Sequence, residues 1–469
     1  MSMGHRKSEM QGQMFIATCD LPATAGHPFY EKLNQALRAL EFDRKVEETC
    51  LRFYKELGRR SIPPGVYFRM LLIGYFEGID SHRGIAWRVA DSLSLRQFLG
   101  YGLQEATPDH SSLSVIGDRL EQETHDQVFQ FVLQALQQAG LVKGQTLGVD
   151  ATTLEANAAM RSIVRRDTGQ SYRDYLKELA QKAGIQNPTR ADLAKLDRKR
   201  PEKGSNEQWE HPHDPDARIA KMKDGRTHLA HKAEHVVDLE TGALLGVSLH
   251  AADKGDTQTV VASVEAAFDQ VSQAIETTGA PLPEKIFEEV VTDKGYHGNQ
   301  CLEDLQELGL RTYVSEPARG RRKWKGKFSA RRAVYANRRR VQGDRGKRMQ
   351  RLRGERLERS NAHLYETGGL RRTHLRGHDK IAKRLMVHAA GFNLGLLMLA
   401  WIGIGKPRCL QGLSGACLAL ILWLWSLLGS LQDLGKRSPI LPYRSAATPG
   451  VNFRRMPAIL EKPYSSTGC

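Results

Sequence analysis

Through most of residues 28–140, apolar residues recur at three- and four-residue spacing, as in amphipathic helices. The segments "HPFYEKLNQALRAL" and "IPPGVYFRMLLIGYFEG" both read this way, and Pro63 and Pro64 suit the first turn of the second. "SHRGIAWRVADSLSLRQFLG" predicts another helix with Asp80 or Ser81 as its N-cap, and "TPDHSSLSVIGDRLEQE" a further one. Short helices with tight turns fit a helix-turn-helix DNA reader. They fit a plain helical bundle equally well.

At residue 144 the period changes. "GQTLGVDATT" predicts a short strand, Thr146 to Val149, ending at Asp150. Residues 155–230 are polar and highly charged, with no apolar period, and read as an insertion or mobile loop. "HKAEHVVDLETGALLGVSLHAAD" then predicts two strands joined by a tight turn, and "TQTVVASVEAAFDQVSQAI" a helix. The apolar strand of "VVTDKGYHG" stops at Asp293, ahead of the helix "NQCLEDLQELG" and the strand "RTYVSEP". After a basic stretch, the strongly apolar helix "KIAKRLMVHAAGFNLGLLMLAW" closes the pattern. The order β, insertion, β, β, α, β, α, β, α predicts a mixed sheet flanked by helices, behind an N-terminal helical domain.

Composition narrows the partners. Lys plus Arg number 69 against 53 Asp plus Glu, a formal net charge of +16 that favours a polyanionic partner. Cys19, Cys50, Cys301, Cys409, Cys417 and Cys469 are scattered without a CxxC pair, as free thiols in a reducing cytoplasm would be. The segment Gly415–Leu431 is uncharged and rich in Leu and Trp, but short of the about 20 residues a spanning helix needs. A buried or interface helix is expected there, and membrane association is the disfavoured alternative.

Asp150 and Asp293 both end predicted strands. An Asp at such a place often only starts a turn. Two strands lying side by side would instead bring both carboxylates to one edge. A divalent cation relieves their repulsion, and hard oxygen ligands suit Mg²⁺ or Mn²⁺. The third carboxylate would come from "GERLERSNAHLYETGG", with candidates Glu355, Glu358 and Glu366. A helix over Glu355–Glu366, stopped by Gly368 and Gly369, would place Glu355 in its first turn as a dipole partner, leaving Glu358 as the ligand. Glu155 and Asn157 read as surface residues or supports behind the site, and His297 as an ordinary loop residue.

Three blocks, "GVDATTLEANAAMRSIVRRDTG", "VVTDKGYHG" and "LERSNAHLYETGGLRRTHLRGHDKIAKRLMVHAAGFNLGLLM", together resemble bacterial insertion-sequence transposases of the DDE class, over residues 28–405. The resemblance implies an RNase H-like catalytic domain that cuts and rejoins DNA at transposon ends with Mg²⁺, for which Mn²⁺ would substitute. It implies Asp150, Asp293 and Glu358 as catalytic, metal-holding residues. It also implies double-stranded DNA at transposon ends and target as partner, a homo-oligomer on that DNA, and a bacterial cytoplasmic, nucleoid-associated protein. At the positions where related transposases carry Tyr, Arg and Lys around the glutamate, this chain has Arg351, Gly354 and Tyr365.

The expected organisation is therefore a tail over 1–27, a DNA-binding helical domain over 28–143, the catalytic domain over 144–405, and an extension over 406–469. Within the catalytic domain, residues 319–353 hold sixteen Lys or Arg and one acid, Asp344, for a surplus of 16 − 1 = +15. Arg321, Arg322, Lys323, Lys325, Arg338, Arg339 and Arg340 are expected to contact DNA phosphates, with Trp324, Phe328 and Tyr335 available to stack on bases. The rivals are a DNA-binding protein without catalysis, such as a decayed transposase, and a membrane-associated basic protein.

Overall fold

The computed structural model describes residues 26–410, apart from 56, 59, 60, 201–203, 223, 278, 280, 319 and 321. Seven helices come first: α1 Pro28–Ala39, α2 Phe42–Cys50, α3 Pro64–Glu77, α4 His82–Ala90, α5 Leu93–Leu99, α6 His110–Arg119 and α7 Gln122–Gln138. Their starts follow local chemistry. Pro64 opens α3, Ser81 caps α4 by accepting from the Gly84 amide, and Ser92 and Asp109 cap α5 and α6. α3 is buried almost all round, so it runs through the centre of this layer.

The sheet begins with β1, Thr146–Glu155. The charged segment after it is not a loop. It forms β2 (Val164–Arg165), α8 (Tyr172–Lys182), α9 (Arg190–Lys199), β3 (Trp209–Glu210) and β4 (Arg218–Lys221). Trp209 is fully buried among Ile163, Ala217 and Leu229, with Tyr172 and Tyr175 edge-on to its ring. One Trp and two Tyr organise this small core, which a count of charges does not reveal.

β5 (Thr227–Asp238) and β6 (Leu244–Ala251) follow, then α10 (Asp256–Thr277), β7 (Glu289–Thr292), α11 (Asn299–Glu307) and β8 (Arg311–Val314). β6, β5 and β1 are antiparallel, β1, β7 and β8 are parallel, and β4 lengthens the sheet beside β5. This is the expected RNase H-like mixed sheet, with helices packed against it. The basic stretch becomes α12 (Phe328–Gln342) and the first part of α13 (Asp344–Asn361). A π-helical turn, Ala362–Thr367, extends α13, and α14 is His378–Ile402.

β6 and β8 are each closed by a buried asparagine from a helix. Asn393 of α14 pairs with the backbone N–H and C=O of Leu244, and Asn337 of α12 does the same to Val314. These side chains satisfy backbone groups that an edge strand would leave open. His378–Leu410 is long and apolar enough to cross a membrane, but most of it is buried in the protein, with α14 packed on α3, α7 and β6. The helical layer and the sheet share one hydrophobic core through this helix. The apolar segment Gly415–Leu431 lies outside the described residues.

Candidate active site

β1 and β7 pair in parallel through Thr146↔Glu289, Leu147↔Val290 and Gly148↔Val291. Two further residues along each chain, that register sets Asp150 opposite Asp293. β7 stops at Thr292, whereas β1 continues to Glu155 because the long antiparallel β5 still pairs with it. Asp150 thus does not end its strand, as the sequence suggested; it stands where β1 loses its parallel neighbour. Asp293 has both expected characters. Its Oδ1 accepts from the Gly295 N–H at 2.8 Å, starting the turn, and it also faces Asp150.

Asp150 is pushed above its ordinary pKa chiefly by burial, and Asp293 pushes the same way. Arg353 and a hydrogen bond from Asn361 oppose that shift. The Asn361 amide donates to Asp150 Oδ2 at 3.1 Å. Across β5, His235 lies opposite Asp150 and stacks on Tyr365, whose hydroxyl is hydrogen-bonded to the imidazole. Burial holds His235 neutral, down at about 3.

α13 crosses this edge of the sheet. Gln350 donates to the carbonyls of Thr292 and Tyr313, and Leu357 is buried beside Gly148 of β1. Glu358 is exposed, three residues before Asn361, and so about 60° from it around the helix. Glu355 is also exposed and about 120° from Asn361. The helix starts at Asp344 rather than near 355, so Glu355 is not in a first turn and has no dipole role there. Glu366 pairs with Arg371 at 2.9 Å. Among the described residues, no three His, Cys, Asp or Glu side chains are gathered as an ion would need, so Glu358 is not drawn up to the two aspartates. The pair itself is two hard oxygen donors with one partly desolvated, which fits a hard divalent cation.

A buried polar group supports the Asp293 turn from behind. Tyr296 donates to Glu234 Oε1 at 2.8 Å, Thr259 donates to the same oxygen at 3.0 Å, and Lys232 pairs with Asp256 at 2.7 Å. A Cβ at Gly295 would sit 2.6 Å from an Asp256 carboxylate oxygen and 3.0 Å from one of Asp293, so a side chain there would displace those carboxylates. The strand-period alternation of Lys232 and Glu234 was the one sequence signal of this network; its members are otherwise far apart in the chain. Glu155 exchanges backbone hydrogen bonds with Arg371 and Thr373, Asn157 donates to the His374 carbonyl, and His297 is buried near Arg322.

The basic residues divide by role. Lys323, Lys325 and Arg339 are exposed. Arg322 pairs with Glu316 at 3.1 Å, and Arg338 grips the same carboxylate at 2.8 and 2.9 Å. Arg340 is bonded to the carbonyl and hydroxyl of Thr312 on β8. Arg321 lies outside the described residues. Trp324 is half-buried against the core, while Phe328 and Tyr335 remain exposed.

Comparison with known families gives two separate matches. The Transposase domain (DUF772) matches residues 21–119, and the Transposase DDE domain matches residues 199–394. No curated protein and no solved structure matches the chain.

Proposed function

Because the chain belongs to the insertion-sequence transposases of the DDE class, we propose that it cleaves DNA at the ends of an insertion sequence and joins those ends to target DNA by metal-dependent phosphoryl transfer. The observation that supports this best is the β1–β7 register, which sets Asp150 against Asp293 where the strands part. Asp150 and Asp293 would hold the divalent ion, Mg²⁺ with Mn²⁺ substituting, and Glu358 would complete its ligands. When bound, the ion supplies Lewis-acid stabilisation of the attacking and leaving oxygens.

The rest is done by this chain's own groups. Asn361 fixes the Asp150 carboxylate and favours its ionised form. The Gly295 amide holds Asp293, and the Tyr296–Glu234 bond holds the turn that carries both. Lys323, Lys325 and Arg339 neutralise backbone phosphates and position the duplex without reading its sequence. Cleavage leaves a 3′-hydroxyl at the element's end, and joining uses that hydroxyl against a target phosphodiester. The protein acts on DNA in the cytoplasm as a homo-oligomer.

The test is incubation of the purified full chain with the DNA flanking its own gene in Mg²⁺, with every nick mapped. Nicks that leave 3′-hydroxyls at the element boundary are expected. Binding to that DNA without any nick in Mg²⁺ or Mn²⁺ would leave a DNA-binding protein in place of an enzyme.

A further inference from the structure

α13 and its π-helical turn carry a second set of cations, turned away from Asn361. Arg356 and Arg359 of α13, His363 of the π-turn and Lys406 of the loop after α14 line one open cavity, floored by Phe392 and bounded by Gly242. No Asp or Glu among the described residues lines it. Arg359 makes no ion pair with any described residue, and it is exposed. Arg356 donates once, to the Glu240 carbonyl at 3.4 Å, and its Nε is buried with no partner among the described residues.

The cavity is built to hold these groups in place. Gly395 and Gly405 pack backbone to backbone: a Cβ on either would meet the other's carbonyl oxygen at 2.9 or 3.0 Å. That contact docks the loop carrying Lys406 onto α14. Lys406 donates to His363 Nδ1 and, at 3.4 Å, to Thr367. Gly242, at φ +82°, lets the β5–β6 turn lie against the Arg356 stem, where a Cβ would be 3.6 Å from its Cδ.

Three cations converging without a carboxylate leave uncompensated charge that an anion with several acceptor oxygens would satisfy. We propose that this cavity is a phosphate-binding site, taking a phosphate of the DNA backbone away from the Asp150–Asp293 centre. DNA as the source rests on the function proposed above; the phosphate chemistry stands without it. Burial, with Arg359 and Arg408 nearby, lowers Lys406 to about 8, and Cys409 pulls the other way. His363 is lowered to about 4 by burial, Lys406 and Arg359, so it acts as a neutral acceptor for Lys406 at neutral pH.

Thermal unfolding of the full chain in inorganic phosphate and in chloride of equal ionic strength tests the site. Wild type should gain about 2 °C or more in phosphate at pH 7, the order expected for a ligand well above its dissociation constant. Arg359→Gln and Lys406→Gln should lose most of that gain, and for wild type it should shrink between pH 7 and 9. Arg359→Gln keeps the test valid if Lys406→Gln does not fold, since Arg359 is exposed. An equal phosphate gain in wild type and Arg359→Gln, or none in wild type, overturns the site.

The source is read from duplex binding against salt. Arg359→Gln should flatten the log–log slope by about 0.9, one phosphate contact. An unchanged slope with a lost phosphate response assigns the site to free phosphate. A chain that binds no DNA but keeps the phosphate response refutes the transposase reading and leaves the cavity's chemistry standing.

Discussion

Replacing Asp150 by Asn removes the charge of a partly buried carboxylate with almost no change in volume. In the folded chain, burial and Asp293 both disfavour the ionised Asp150, and Arg353 and Asn361 only partly offset them. Without metal, that charge costs stability. The Asn361 amide still has an oxygen at residue 150 to donate to, so the hydrogen bond of 3.1 Å can persist. Relief of a destabilised site of this kind is commonly about 0.5–2 kcal/mol. Near 1 kcal/mol corresponds to roughly 2 °C in Tm for a chain of this size. Metal reverses the sign. An ion that binds only the native state stabilises by about 2.7 kcal/mol at a hundred times its Kd, more than the charge removal supplies. Asp150→Asn should therefore melt about 2 °C above wild type in EDTA, and below it in saturating Mn²⁺. Fluorescence-monitored melting in the two buffers decides it. A variant that melts several degrees lower in EDTA, or Mn²⁺ raising both proteins equally, would rule out Asp150 as a strained charge that a divalent ion relieves.

Burial raises Asp126 on α7 to about 6, with Glu123 adding to it. An acid raised in the fold is destabilising once ionised, so the loss is absent below about pH 4. It grows as pH rises towards 6 and is complete at 7. Asp126→Asn should leave acid stability unchanged and add on the order of 1 kcal/mol at pH 7, seen in urea melts at the two pH values. Trp209→Ala empties the small core between β1 and β5 and should cost about 3–5 kcal/mol locally, so limited proteolysis should cut within 155–230 while the large core stays protected. Arg339→Ala should reduce the salt slope of DNA binding by about 0.9 at unchanged Tm. Arg340→Ala should instead lower Tm, because it leaves the Thr312 carbonyl and hydroxyl without those bonds.

What was legible in the sequence follows the range over which each signal acts. The helices of the first 140 residues show because period and caps are local: Ser81 sits where the sequence placed an N-cap and accepts from Gly84. The strand tip at Asp293 shows because an Asp turn is local chemistry, its Oδ1 accepting from the Gly295 N–H two residues later. The length of β1 was not legible, since β5, some 80 residues on, decides it. Nor was the insertion's core, because Ile163, Trp209 and Leu229 lie far apart in the chain among mostly polar and charged residues. The basic stretch looked uniform in composition, yet Glu316, just outside it, takes up Arg322 and Arg338, and Thr312 takes up Arg340. Asn361 could not be singled out from a list of acids, although it is the α13 side chain that reaches Asp150.

In the proposed function, Asp150, Asp293 and Glu358 act together on a divalent ion to cut DNA. Strand nicking in Mg²⁺ on end-containing DNA, compared across Asp150→Asn, Asp293→Asn, Glu355→Gln, Glu358→Gln and Glu366→Gln, tests it most directly. No nicking is expected from the Asp150, Asp293 and Glu358 variants, at near wild-type DNA affinity, and near wild-type nicking from the other two. Nicking retained by Glu358→Gln, with Glu355→Gln inactive and folded by circular dichroism, would contradict it.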